Sequence, residues 1–462
     1  MATEFELWRY PMKNLLFLTL LLTMLFLGTV SAEAANRYVR AGASGSANGN
    51  DWTNAYTTLP ATLTRGDTYY IADGSYGGYA FNDATSGTLV ITVKKATSTD
   101  HGTETGWDST YGGGQAIFSS GFVFTTAYWV IDGVTGGGPQ NNWNQNFGFK
   151  VIETNDGTPI LNIGYSGSPS NITISHIDMQ GKGSASNSGG FISNDGVGMV
   201  SGASNITLTY AWMHGIGRCP VFMAGGVGGF AIFDHVWVQS YFGSSGVHSE
   251  VMSASQGSVP ETTWRYSLFT DIQSTGGLMW DNSVNPSAHL YVYGNIFYKP
   301  AGAIWGEANG LIGGWTGGSG EVFRNVSVYN NTFINVDQQS LSTFPNISSG
   351  NSASNNLWYN SQSPEFAKFT THDYNHFINS GGTHAESNGS SAASGNPFID
   401  YPNLNFALTG ATAAGTTLAS PFNLDPLGKT RGAEGVWDRG AFDFGSSADL
   451  TPPSPPSNLR VQ

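Results

Sequence analysis

The chain has 462 residues, of which 11% are charged and 13% are aromatic, and its formal net charge is −14. Such an acidic composition argues against nucleic acid as a partner, because phosphate binding depends on a basic surface. The 62 glycines favour many turns between stacked strands over a disordered chain. The single cysteine, Cys219, excludes an internal disulfide, so the fold must be stabilised by packing.

The first 35 residues have the parts of a secretory signal peptide. Lys13 precedes an apolar run at 15–30, and Ala32 and Ala34 form an Ala-x-Ala cleavage site. Residues 1–11 are expected to be an upstream extension. The apolar run is short for a membrane span. We therefore expect a protein exported to the periplasm, the cell surface or the medium, with no stable membrane insertion after cleavage.

Short strand-and-turn units follow one another from residue 36 onward. Between 171 and 360 an alternation of apolar and polar residues returns repeatedly, and each copy leads into a polar, glycine-rich loop, which predicts strands with one buried face. Each copy closes on a large side chain, at 179, 213, 237, 269, 297, 333 and 358. The steps vary around roughly thirty residues, which suits a coil with loops of variable length better than a repeat of fixed period.

A second column of identical residues keeps step with these closing positions. Asn295, Asn331 and Asn356 each stand two residues before the aromatic residue of their own copy. Stacked amides can hydrogen-bond to each other and to the backbone along the axis of a solenoid. The spacing predicts an asparagine ladder at a turn of the coil.

The units at 66–76 and 128–134, "GDTYYIADGSY" and "YWVIDGV", resemble right-handed parallel β-helix proteins of the pectate-lyase-like superfamily. The resemblance extends over 37–445. It implies an all-β, single-stranded right-handed parallel β-helix with capped ends. Because such proteins include lyases, hydrolases and non-catalytic adhesins, the resemblance specifies a fold better than a reaction.

The C-terminal part of the chain changes in character. The segment 396–444 is expected to close the helix, because an exposed coil would present unpaired backbone groups and apolar side chains. Asp438 and Arg439 are interpreted as part of this cap. The domain is thus expected to span 36–445. Residues 446–462 are a Pro-rich linker that resembles the start of a fibronectin type III segment, which would be truncated here.

Counting forward from each closing residue places three carboxylates on neighbouring coils. These are Glu250, Asp281 and Glu307. Equivalent positions on successive coils lie about 4.8 Å apart, so the three would form one row. If the row binds a divalent ion, the expected ion is calcium. The tryptophans expected to stack on sugar rings beside this row are Trp280, Trp305 and Trp315.

Two reactions could use such a row. In a polysaccharide lyase, the metal would hold a uronate carboxylate while a basic side chain removes the C5 proton, and the glycosidic bond would be eliminated. The candidate bases or carboxylate clamps are Arg218, Arg265, Lys299 and His248, with Lys182 and His214 as second choices. Without metal, paired carboxylates could instead hydrolyse a glycoside.

The function expected from the sequence is therefore a secreted polysaccharide lyase that cleaves a uronate-containing glycan of the pectate or alginate type. The alternatives are a glycoside hydrolase and a non-catalytic carbohydrate-binding or adhesion protein, in which the tryptophans matter and the acids only solubilise. The expected partner is an acidic polysaccharide, and the expected oligomeric state is a monomer.

Overall fold

The computed structural model describes residues 34–445, except 140–142, 184–193, 240, 243–248, 256, 275, 304, 308–309, 316–319, 343–346 and 381–384. The chain divides into two units, 1–35 and 36–462, and the predicted leader lies outside the described residues apart from 34–35. Within the described part, no helix has the length and apolar character needed to cross a membrane.

Almost all the regular structure is β. The strands, numbered along the chain, are β1 Asn36–Val39, β2 Thr68–Ile71, β3 Gly74–Tyr76, β4 Tyr79–Phe81, β5 Ile91–Lys95, β6 Ala116–Phe118, β7 Phe122–Phe124, β8 Trp129–Asp132, β9 Phe149–Ile152, β10 Leu161–Ile163, β11 Ser170–Gln180, β12 Val197–Met199, β13 Ser204–His214, β14 Val221–Met223, β15 Gly228–Gln239, β16 Tyr241–Phe242, β17 Glu250–Ala254, β18 Glu261–Arg265, β19 Leu268–Phe269, β20 Ile272–Ser274, β21 Gly276–Trp280, β22 Leu290–Tyr293, β23 Ile296–Tyr298, β24 Gly306–Glu307, β25 Ile312–Gly313, β26 Val322–Arg324, β27 Val326–Tyr329, β28 Thr332–Ile334, β29 Ile347–Ser349, β30 Ser352–Ser354, β31 Leu357–Tyr359, β32 Thr371–Asp373, β33 His376–Ile378, β34 Ser390–Ala392, β35 Phe398–Asp400 and β36 Asn405–Leu408. Two 3₁₀ turns are described, at Ser109–Tyr111 and Tyr401–Asn403.

The strands stack in parallel into a right-handed β-helix, which confirms the predicted fold class. A 21-stranded sheet and an 8-stranded sheet carry most of the coils. The large sheet bends along its length, because β11, β13 and β15 each pair through both halves. We call the half that begins with β1 face A, the half that contains β9 face B, and the 8-stranded sheet face C. From β2 to β25 each coil runs from face A to face B to face C before the next coil begins, and none of the described strands after β25 belongs to face C.

The column of closing residues is confirmed with one correction. The register pairs Met179 with Met213, and then Met213 with Val238 rather than with Trp237. An irregularity in the pairing of β13 with β15 adds one residue to β15, which the sequence count could not detect. Below it the column continues as predicted, and consecutive rings stack with centroids 4.6 to 5.2 Å apart. These rings belong to Phe269, Phe297, Phe333, Trp358 and Phe377.

The asparagine ladder is also confirmed. The side-chain amides of Asn295, Asn331 and Asn356 each donate to the next side-chain oxygen at 3.0 Å, and the series extends one coil further, to Asn375. All four side chains are fully buried. Each amide also donates to a backbone carbonyl, so the ladder satisfies the turn where face A meets face B.

The C-terminal segment covers the outer surface of face B on the later coils. Phe398, Phe406 and Phe442 pack in one cluster with the outward side chains Leu268 and Ile296. The cap interpretation of Asp438 and Arg439 agrees with their contacts. Arg439 is 4% exposed and donates to the backbone oxygens of 375 and 414, and Asp438 accepts from the backbone of 412 and 444.

Candidate active site

The predicted row of three carboxylates is wrong, because the register separates its members. Glu250 pairs with Gly276, whereas Trp280 pairs with Ala254. Asp281 therefore lies five residues further along the strand direction than Glu250, or about 17 Å. Glu307 pairs with Ser274 in a different sheet. The count from the closing residues failed because the connection from face B to face C differs in length between these coils.

The surroundings of the two described carboxylates do not fit calcium either. Glu250 is fully buried and accepts a hydrogen bond from the indole of Trp315 at 3.3 Å. Asp281 accepts from the backbone of Ser283 and Val322 at 2.9 and 3.0 Å. Because Glu250 has no open side and the two acids do not face one another, no calcium site is derived from them.

The tryptophans that were predicted to stack on sugar rings lie in the interior of the helix and not along a surface groove. Trp280 is fully buried and donates to the carbonyl oxygen of Arg324. Trp305 belongs to the main core at 7% exposure, and Trp315 is 9% exposed beside Glu250. Assigning Trp280 to sugar stacking was wrong, and the rings of Trp305 and Trp315 present too little surface for it.

The predicted basic residues belong to separate ion pairs on different faces of the helix. Arg218 pairs with Asp195, Arg265 with Asp234, Lys299 with Asp337 and Lys182 with Asp156. His248 lies outside the described residues. The structure does not bring these candidate bases together.

The ion pair of Arg265 and Asp234 shifts the pKa of both groups. Burial by itself would raise the pKa of Asp234, but His235 and Arg265 outweigh it and lower that pKa to about 2. Asp234 in turn raises the pKa of Arg265 against the effect of burial. Arg265 is therefore held as a cation and is not a suitable base.

Cys219 is a packed thiol in the structure. Its side chain is buried, and its sulfur lies 4.0 Å from Glu250. Burial raises the pKa of this thiol, and the neighbouring Asp195 and Glu250 raise it further. A protonated, inaccessible thiol cannot act as a nucleophile.

The only group of three acids whose oxygens lie within 4.8 Å of one another, among the described residues, is in the cap. It consists of Glu434, Asp438 and Asp443. The ammonium group of Lys429 contacts Glu434 at 3.0 Å and Asp443 at 3.4 Å. These acids could hold a metal ion, and in the structure Lys429 supplies the positive charge beside them.

A different set of side chains converges on the outer surface of face B. The register places Lys150, Asp178 and Trp212 side by side on three successive strands. His214 lies two residues beyond Trp212 on β13 and therefore shares its outward direction. The alternation of each strand sends the apolar neighbours inward, since Met179 and Met213 are fully buried.

Asp178 holds the two basic groups of this cluster. Its Oδ2 lies 3.0 Å from the ammonium of Lys150, and its Oδ1 lies 2.8 Å from Nε2 of His214. The side chain of Asp178 is 6% exposed, while those of Lys150 and His214 are 19% and 16% exposed. A buried carboxylate thus presents a lysine and a histidine to the surface.

Trp212 forms an aromatic wall beside the histidine. Its ring stacks on the imidazole of His214, with centroids 3.8 Å apart and planes inclined by 16°. Its indole nitrogen donates to Gln239 at 3.1 Å, and Trp237 lies behind it at 5.9 Å. Trp212 is only partly buried, so part of its ring is accessible beside the histidine.

The arrangement fixes the tautomer of His214. The carboxylate of Asp178 accepts only, so the proton of a neutral imidazole is held on Nε2 and the lone pair is on Nδ1. Among the residues that the structure describes, none hydrogen-bonds to Nδ1. This nitrogen can therefore accept a proton from a bound molecule, while Lys150 offers positive charge to an anion nearby.

Of the residues in this cluster, only His214 was predicted from the sequence, and only as a second choice. Asp178 and Trp212 were visible as the polar or amphipathic residue directly before the closing methionine of two successive copies. Comparing that position across copies could have found them. Lys150 lies in β9, which was not recognised as a copy.

Comparisons with known proteins do not assign an activity to this chain. No protein-family model and no curated protein matches the chain. The similar solved structures include pectate lyase Pel9A, at 14% identity and a TM-score of 0.42, covering 89% of this chain and 97% of that one. They also include the PL6 family alginate lyase AlyGC, at 10% identity and a TM-score of 0.35, covering 71% of this chain and 51% of that one. At these values the likeness carries no information on activity.

Proposed function

We propose that this protein is a polysaccharide lyase that cleaves a uronate-containing glycan by β-elimination at the cluster of Lys150, Asp178 and His214. The observation that carries the proposal is the single buried carboxylate that binds a lysine and a histidine at once, beside a partly exposed tryptophan. β-Elimination at a uronate requires a base for the C5 proton and a positive charge near the C6 carboxylate. The cluster offers both.

The step assigned to these residues balances as follows. Nδ1 of His214 takes the proton from C5, the released electron pair forms the C4–C5 double bond, and the C4–O glycosidic bond breaks. The leaving oxygen takes a proton from water. Lys150 stabilises the negative charge that develops on the carboxylate during proton removal, and the accessible part of the Trp212 ring contacts the sugar.

We extend the proposal to location and substrate class. The predicted leader at 1–35 supports action outside the cytoplasm, where polysaccharides of the pectate and alginate type occur. The positive charge of Lys150 supports an acidic glycan. N-terminal sequencing of the exported protein should give a mature chain that starts at or near residue 36, and a chain that retains residues 1–35 would contradict the location.

The experiment is incubation of the purified protein with pectate, alginate and glycosaminoglycans. A lyase raises the ultraviolet absorbance of the unsaturated uronate, and Lys150→Ala should abolish that rise. Lys94→Ala is the matched control, because Lys94 is also partly exposed and paired with an aspartate, Asp100. New reducing ends without the absorbance would mean hydrolysis and would overturn the proposal. Retention on insoluble polysaccharide without any cleavage would favour a binding protein.

A further inference from the structure

Tyr165 stands out on the surface of the helix. It is 47% exposed, and no other aromatic side chain in the described part of the chain is as open. Aromatics make up 13% of this sequence, and most of those in the described part of the chain are buried. Single exposed apolar residues are ordinary, so the surroundings of Tyr165 decide whether it has a role.

The ring of Tyr165 lies against the outer surface of face C over a glycine. Gly198 is the outward residue of β12, between Asn162 and Phe222 on the neighbouring strands. A Cβ atom at Gly198 would lie 2.9 Å from the Tyr165 ring and 2.8 Å from Pro159. The absent side chain therefore lets the ring lie close against the sheet.

Arg218 is fixed beside this ring. Its guanidinium donates to both oxygens of Asp195, through Nε at 2.7 Å and through Nη2, and Asp195 is 2% exposed on its side chain. The guanidinium carbon lies 4.2 Å from the centroid of Phe222. Burial raises the pKa of Tyr165, and the charge of the nearby Arg218 partly offsets that rise. The side chain of Arg218 is 24% exposed.

We propose that Tyr165, Arg218 and Phe222 form a second glycan-binding site on face C, separate from the cluster on face B, that takes a uronate residue of the polysaccharide. The tyrosine face would pack on the C–H face of a sugar ring. Because Asp195 uses the Nε and Nη2 edge of the guanidinium, the Nη1 side remains for the uronate carboxylate. Such a site would hold the polymer on the enzyme between cleavage events. The choice of an acidic glycan rests on the proposed function.

The test is calorimetric titration with a short uronate oligosaccharide. It uses the full chain carrying Asp178→Asn, so that cleavage of the ligand is slowed by about 10²- to 10⁴-fold. In that background we expect two binding sites, and Tyr165→Ala should remove one of them. Arg218→Lys keeps the positive charge but loses the planar set of guanidinium donors. It should lower the affinity of the same site by about fivefold or more. Ile399→Ala, which truncates a residue that is 57% exposed elsewhere, is the control and should leave both sites.

The outcomes separate this site from the proposed function. If Tyr165→Ala leaves the number of sites and their affinities unchanged, the second site is overturned whether or not the protein cleaves uronates. If no uronate is cleaved but one site is lost with Tyr165→Ala, the lyase proposal fails and the second site stands.

Discussion

Replacing Asp178 with asparagine tests the candidate active site by changing a single heavy atom, a carboxylate oxygen to an amide nitrogen. The side chain keeps its shape but loses its charge. In the native cluster, Asp178 accepts from Nε2 of His214 at 2.8 Å and lies 3.0 Å from the ammonium of Lys150. The amide nitrogen of an asparagine donates, so it can bind the lone pair of Nε2 and move the imidazole proton to Nδ1.

The expected loss follows from the role of Nδ1. A protonated Nδ1 cannot take the C5 proton, and a positioned general base contributes about 10²- to 10⁴-fold to the rate. We therefore expect kcat to fall by about that factor. KM should change by less than about tenfold, because Trp212 and Lys150 remain to bind the substrate. The assay is the initial rate of unsaturated-uronate formation across a range of substrate concentrations.

Two companion measurements make the result decisive. The thermal midpoint of Asp178→Asn shows whether the variant is folded at the assay temperature. The double variant Asp178→Asn/His214→Ala should be no slower than His214→Ala alone, since the two residues act as one unit. A fall in kcat of less than about fivefold, or additive losses in the double variant, would refute the role assigned to His214.

Two further predictions concern stability. Asn331→Ala leaves the backbone oxygen of Val292 and two donors of Asn295 without their partner. The free energy of unfolding, measured by urea denaturation, should therefore fall by roughly 3 to 6 kcal/mol. The control Asn50→Ala, at an exposed position, should lower it by less than about 0.5 kcal/mol. Equal losses in the two variants would count against a stabilising role of the ladder. Burial and the charge of Arg439 lower the pKa of His376 to about 4, below the value of about 6.5 in an unfolded chain. As the pH drops, His376 takes up a proton in the unfolded chain before it does so in the folded protein. The free energy of unfolding should therefore fall by up to about 3 kcal/mol between pH 6.5 and pH 4. His376→Leu should remove that part of the acid sensitivity, and identical pH profiles for His376→Leu and the unmodified protein would exclude this cause.

The features that the sequence predicted well are local in the chain. An asparagine two residues before an aromatic residue lies within one strand and its turn, so Asn295, Asn331 and Asn356 keep their relation to Phe297, Phe333 and Trp358 whatever the intervening loops do. The stacking of similar residues on successive coils then follows from the parallel register. This is why the ladder and most of the closing column were predictable.

The carboxylate row failed for the complementary reason. Glu250 and Asp281 were aligned by counting through loops whose lengths differ from coil to coil, and an error of one residue exchanges the inner and outer surfaces of a strand. The register places Glu250 opposite Gly276, where its side chain is buried. Even within a strand, the extra residue in β15 moved Trp237 out of the closing column. Site prediction in a solenoid therefore requires the pairing of each coil, which local patterns do not supply.

The outer surface of face B also explains why the candidate site lies on the early coils. Its outward column reads Lys150, Asp178, Trp212, and then Trp237 and Leu268. The first two are charged and pair with each other, whereas Leu268 is fully buried by contacts in the same cluster as the cap residues. The change from charged to apolar residues along one column thus marks where the covered surface begins. Because Trp212 is the last partly exposed member before that boundary, a sugar in contact with its accessible edge would meet the covered surface on the side of the later coils and would extend over Asp178 and Lys150.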